Sequence, residues 1–94
     1  MNVRYTEEAL GEVADILDYI ARNNPIAAYE ISLAIEGTVA AIRQQPRLAR
    51  VVYSGQVRAF PIGDYPYRIF YEVKLVEIVI RNVRHTRRRS LEGK

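Results

Sequence analysis

Tyr67-Arg68-Ile69-Phe70-Tyr71-Glu72-Val73, then Lys74-Leu75, then Val76-Glu77-Ile78-Val79-Ile80-Arg81-Asn82-Val83, decide the fold. Both long runs are rich in β-branched and aromatic residues, and a two-residue link joins them. They read as two paired strands. Val57–Ile62 has the same character and reaches Tyr67 through Gly63-Asp64. The three runs together predict an antiparallel meander.

Working outward, Arg47–Gly55 reads as a loop with room for one helical turn. Ahead of it the apolar period changes. Ala28, Ile31, Ile35, Val39 and Ile42 form a helical seam, opened by Asn24 as cap and Pro25 as first residue, and ended by Pro46. Gly37 lies inside that helix, where glycine costs about 1 kcal/mol relative to alanine; close helix approach would explain it. An earlier helix carries Leu10, Val13, Ile16, Leu17 and Ile20. Thr6 suits its cap, and Glu7 and Glu8 suit the positive end of its dipole. The short break Asn23-Asn24 predicts an antiparallel helix hairpin. Asn2–Tyr5 is short enough for one strand. The expected architecture is α+β, β-α-α-β-β-β, with an antiparallel sheet packed against an N-terminal helix hairpin in a single domain, residues 1–94. The polar tail from Arg84 onward is expected to fray.

Composition narrows the function. The chain has 94 residues, 49% of them hydrophobic, and no cysteine. A disulfide scaffold and a thiolate metal site are excluded, and a reducing cytoplasm is the expected location. Glu7, Glu8 and Glu12 stand where a signal peptide needs an apolar run, and no stretch is expected to cross a membrane. Residues 1–46 carry a charge of −4 and residues 47–94 a charge of +7, which together give the net +3. A basic half can face nucleic acid, an acidic protein or solvent.

Enzyme motifs are few. His85 is the sole histidine, there is no nucleophile elbow, no glycine-rich phosphate loop and no metal-ligand spacing, so neither metal nor cofactor is expected. Most carboxylates sit at solvent-facing helical positions. The strand arginines carry more information. With a two-residue turn at Lys74-Leu75, Glu72 faces Glu77, Phe70 faces Val79 and Arg68 faces Arg81. A three-residue loop would separate them. Like charges directly opposite destabilise a strand pair. Either an anion or acidic partner sits there, or neighbouring carboxylates neutralise Arg68. Arg84-His85-Thr86-Arg87-Arg88-Arg89 follows the last strand. As a charged tail it is either solvated or an electrostatic handle with salt-sensitive affinity for polyanions. Tyr53, Tyr65, Tyr67 and Tyr71 are expected to pack in the sheet rather than stack on bases.

Taken in order, several segments resemble the RelE/ParE superfamily of bacterial type II toxins over nearly the whole chain. They are Thr6-Glu7-Glu8-Ala9, Ile16-Leu17-Asp18-Tyr19-Ile20-Ala21, Asn24-Pro25-Ile26-Ala27-Ala28, Gln45-Pro46-Arg47-Leu48-Ala49-Arg50, Val57-Arg58, Tyr67–Val73 and Glu77–His85. The long hairpin and the ending His85-Thr86-Arg87-Arg88 look like the ParE branch. The resemblance implies a protein that inhibits DNA gyrase without a known enzymatic site. A ParD-like antitoxin would hold it in a hetero-oligomer, with operator DNA reached only through the antitoxin. Target contact would fall to Arg68, Arg81, Arg84, His85, Arg87 and Arg88. The RelE branch implies instead a nuclease cutting mRNA on the ribosome, and would use Arg58, Arg68, His85 and Arg87. Its paired lysines and tail tyrosine are absent here, since no tyrosine follows Tyr71. A decayed toxin that only binds its antitoxin is a third expectation.

Overall fold

The first helix is fixed at its start by one residue. Thr6 accepts a hydrogen bond from the Ala9 amide at 3.0 Å through its hydroxyl, donates its own N–H to the Ile80 carbonyl, and donates the hydroxyl to the Arg81 carbonyl. The cap therefore also fastens the helix to the last strand. At the second helix the Asn24 side chain accepts from the Ala27 amide at 3.0 Å, with Pro25 behind it. The computed structural model describes residues 1–87. In chain order the elements are β1 (Asn2–Tyr5), α1 (Glu7–Ala21), α2 (Pro25–Gln44), β2 (Val51–Tyr53), β3 (Val57–Pro61), β4 (Tyr67–Val73) and β5 (Glu77–His85).

The sheet order is β1-β5-β4-β3-β2. β2 to β5 form antiparallel pairs, as the meander predicts. β1 departs from that pattern. It pairs parallel with β5, Asn2 opposite Glu77 and Tyr5 opposite Ile80, so the sheet is mixed. The helix hairpin packs on one face. Ile35 and Ile42 of α2 meet Ile69 and Tyr71 of β4 and Ile78, Ile80 and Val83 of β5 in one buried cluster. Thr38 is buried on the α2 seam, with Val39 only half-buried beside it, and its hydroxyl donates to the Ala34 carbonyl. Tyr71 is fully buried, and its hydroxyl donates to the Pro46 carbonyl at 2.7 Å. Burial pushes that phenol up from its ordinary range, against a smaller opposing effect of Arg58.

Five sequence expectations change. Residues 47–55 are not wholly a loop, because Val51–Tyr53 forms β2. Its turn to β3 has positive φ at Gly55 and Gln56, and glutamine gives no hairpin-turn signal at such a position. The β4–β5 turn is Leu75-Val76, closed by Lys74 N–H donating to the Glu77 carbonyl, not Lys74-Leu75. β5 runs through Arg84 and His85, which are therefore strand and not tail. Gly37 approaches nothing: a Cβ there would meet no atom within 4 Å. Finally, α2 is by length and composition apolar enough to cross a membrane, although it includes Glu30 and Glu36. In this fold it packs on the sheet through Ala28, Ile31, Ile35, Thr38 and Ile42.

Candidate functional site

The face of the sheet away from the helices carries Arg68, Phe70 and Glu72 of β4, since Ile69, Tyr71 and Val73 point to the core. Opposite them on β5 stand Val79, Asn82 and Arg84. Phe70 is buried even here, with the Tyr53 ring centroid 5.9 Å from its own and the Arg68 guanidinium 5.3 Å above it. Tyr53, Tyr67 and Tyr71 all pack, as expected of them, and Tyr65 is the more exposed.

A bulge decides which arginines meet. Tyr71 pairs with Ile80 but Phe70 pairs with Asn82, so Arg81 is the extra residue on β5. Arg68 consequently faces Arg84, not Arg81. The two differ sharply in their partners. Arg84 donates to Glu12 at 2.8 Å and to Glu8 at 3.0 Å, both on α1. Glu12 also accepts from the Val83 amide and the Asn82 side chain. It binds the stretch of β5 that lies beyond its pairing with β1, a role the sequence did not disclose because Glu12 reads there as a solvated helix residue. Arg81 pairs with Glu72, which also accepts from Lys74 at 2.9 Å. Glu72 is buried, yet the Lys74 hydrogen bond first, and the charge of Arg81 next, hold its carboxyl below the usual range against the opposing effect of burial. Among the described residues no carboxylate pairs with Arg68, and its buried Nε has no hydrogen-bond partner.

The remaining expected residues lie elsewhere. Arg58 pairs with Tyr71 and so points to the helix side, where it donates to the carbonyls of Arg47 and Ala49 at 3.1 and 2.6 Å. His85 pairs with Tyr67 on that same side, the two rings edge to face at 5.2 Å. Its Nδ1 accepts from the Arg87 amide at 3.0 Å, so the neutral ring carries its proton on Nε2. Arg87 is exposed. Arg88 lies outside the described residues. The fold thus gathers Arg68, Arg81 and Arg84 on the open face and leaves His85, like Arg58, on the helix side. It does not bring Arg58 to Arg68. Among the described residues no three His, Cys, Asp or Glu side chains come together as a metal would need.

A second feature lies between the helices. Leu10, Val13 and Leu17 of α1 and Ile35 of α2 line a cleft of about 240 Å³, with Tyr5 and Glu36 also in its wall. Leu10 remains 55% exposed there, and Ile26, Tyr29 and Leu33 continue an uncovered apolar stripe along α2.

No curated protein matches the sequence. A solved structure described as the chromosomal ParDE TA system from P. aeruginosa resembles the chain with a TM-score of 0.81. The match covers 90% of this chain and 95% of that one at 22% identity, and it establishes the fold. The model of a sequence family, described as the ParE toxin of the type II toxin-antitoxin system parDE, matches residues 3–90. Spanning nearly the entire length, this match shows that the chain belongs to the ParE toxin family of type II toxin–antitoxin systems.

Proposed function

We propose that the chain arrests growth by inhibiting DNA gyrase in the cytoplasm, and that a ParD-like antitoxin holds it inactive in a hetero-oligomer. The observation that carries this reading against the nuclease one is the scatter of the four nuclease candidates. Cutting RNA at the 2′-hydroxyl needs a base, an acid and charge stabilisation around one phosphate. Arg58 is spent on two backbone carbonyls on the helix side, Arg68 stands on the opposite face, and His85 has its Nδ1 lone pair occupied by the Arg87 amide. With its proton on Nε2 and its Nδ1 taken by that amide, neutral His85 offers a donor and no free lone pair. A binding surface asks for less. Arg68, with its orphan Nε and no paired acid among the described residues, suits contact with an acidic group or a phosphate. The cleft and the apolar stripe on the helix hairpin suit an amphipathic antitoxin helix.

A gyrase supercoiling assay with the antitoxin-free chain tests the reading. Inhibition relieved by adding the antitoxin back is the expected result. Folded chain that leaves gyrase untouched, while new 5′ ends appear in translated mRNA after induction, would instead establish the ribosomal nuclease.

A further inference from the structure

The β2 edge lies in the longest stretch of the chain without an acidic residue. From Gly37 to Gly63 there is no acidic residue, while Arg43, Arg47, Arg50 and Arg58 fall inside the segment. Arg43 donates to the Met1 carbonyl and Arg58 to the carbonyls of Arg47 and Ala49. Arg47 and Arg50 are exposed, and no carboxylate among the described residues pairs with them. Between and beyond them lie Leu48, 70% exposed, and Val51 and Val52, 42% and 39% exposed. β2 is the last strand of the sheet. The Ala59 amide donates to the Arg50 carbonyl at 3.3 Å, which puts Arg50 and Ala59 at a hydrogen-bonding position of the ladder. The next pair, Val51 with Arg58, is then a non-hydrogen-bonded one, which turns the N–H and C=O of Val51 outward.

An outward backbone donor and acceptor, exposed branched side chains and unpaired cations together describe a ligand. We propose that the outer edge of β2 is a strand-addition site for an extended peptide segment that combines apolar with acidic residues. Charge selects this occupant. A second copy of the chain would bring the same arginines to the edge and be repelled. The chain's own residues 88–94 carry Arg88, Arg89 and Lys94 against Glu92 alone, and are repelled as well. Nucleic acid would satisfy Arg47 and Arg50 but leave Leu48, Val51 and the Val51 amide without a use. Assigning the segment to the antitoxin rests on the toxin–antitoxin reading; the edge itself does not.

The test uses the full chain, 15N-labelled, titrated with a synthetic peptide alternating Val with Glu. The same peptide with Lys in place of each Glu, and a DNA duplex, serve as comparisons. The Val–Glu peptide is expected to protect the Val51 amide from hydrogen exchange and to shift the resonances of Leu48 through Tyr53, less so at high salt. Val51→Pro removes the outward donor together with the exposed branched side chain, at a non-hydrogen-bonded position of the ladder, and should abolish this binding. Reversing both charges, Arg47→Glu with Arg50→Glu, should weaken it roughly tenfold. Absence of binding, equal binding of the Lys peptide, shifts confined to the helix cleft, or displacement of the peptide by duplex DNA would each overturn the proposal. The protein encoded beside the toxin gene separates the two readings. A complex with it that neither variant weakens removes the edge and leaves the toxin–antitoxin reading standing. Peptide bound at the edge by a chain that forms no such complex keeps the edge and removes the antitoxin.

Discussion

Arg68 and Arg84 face each other across β4 and β5, and their surroundings give them different work. Arg84 holds α1 to β5 through Glu8 and Glu12. Replacing it with Met leaves those carboxylates short of a partner and should lower stability by about 1–2 kcal/mol. Arg68 makes no hydrogen bond from its buried Nε and pairs with no described carboxylate, so Arg68→Met should cost less than about 1 kcal/mol, the scale of its stacking on Phe70. Urea unfolding of the two variants checks the contrast, and equal losses would remove it. Glu72 supplies a pH dependence. Its carboxyl is held below its ordinary value of about 4.5, so its contribution is complete above that pH and is lost as pH falls through the lower, folded value. The Glu72→Gln variant should therefore show a flatter fall in stability on acidification below pH 4.5 than the parent, with melting curves as the readout.

At the scale of elements, the ends of both helices were legible because one residue type at each does identifiable work. Thr6 and Asn24 cap as expected, and β4 has the expected bounds. The register between β4 and β5 was not legible. Leu75-Val76 carries no turn signal, and a bulge at Arg81 leaves no mark in a run of branched residues. The resulting register shift decided which arginine meets Arg68, so the candidate site was read with the right residues in the wrong pairing. β2 was missed because it is only three residues long and joins β3 through a turn whose second left-handed residue is Gln56. Glycine in α2 misled in the other direction. Gly37 permits no close approach, and an added methyl meets open space. Gly37→Ala should raise stability by about 0.5–1 kcal/mol, since helix propensity rises and the unfolded chain loses freedom. Gly11, likewise open in α1, should respond the same way. A decrease in melting temperature in either variant would show that space alone does not govern these positions.

Across the whole molecule the acidic front and basic back of the sequence become separate surfaces. The seven acids of residues 1–46 lie on the helix hairpin, two of them paired with Arg84 of β5, while Arg68 and Arg81 stand on the open sheet face and Arg47 and Arg50 at the β2 edge. If the open face with its following arginines contacts the target and the edge contacts the antitoxin, the two functions should separate by mutation. Arg68→Ala, or Arg87→Ala with Arg88→Ala, should reduce growth arrest while the complex with antitoxin persists. Arg47→Glu with Arg50→Glu should keep the arrest but escape the antidote, so that co-expression no longer rescues growth. The described residues of the two surfaces lie on different parts of the sheet and share no ion pair, so the effects should add when combined. Colony counts with and without the antitoxin, set beside pull-down of the tagged chain, read both functions at once. Loss of arrest and loss of complex together in any one well-folded variant would show that target and antitoxin compete for a single surface.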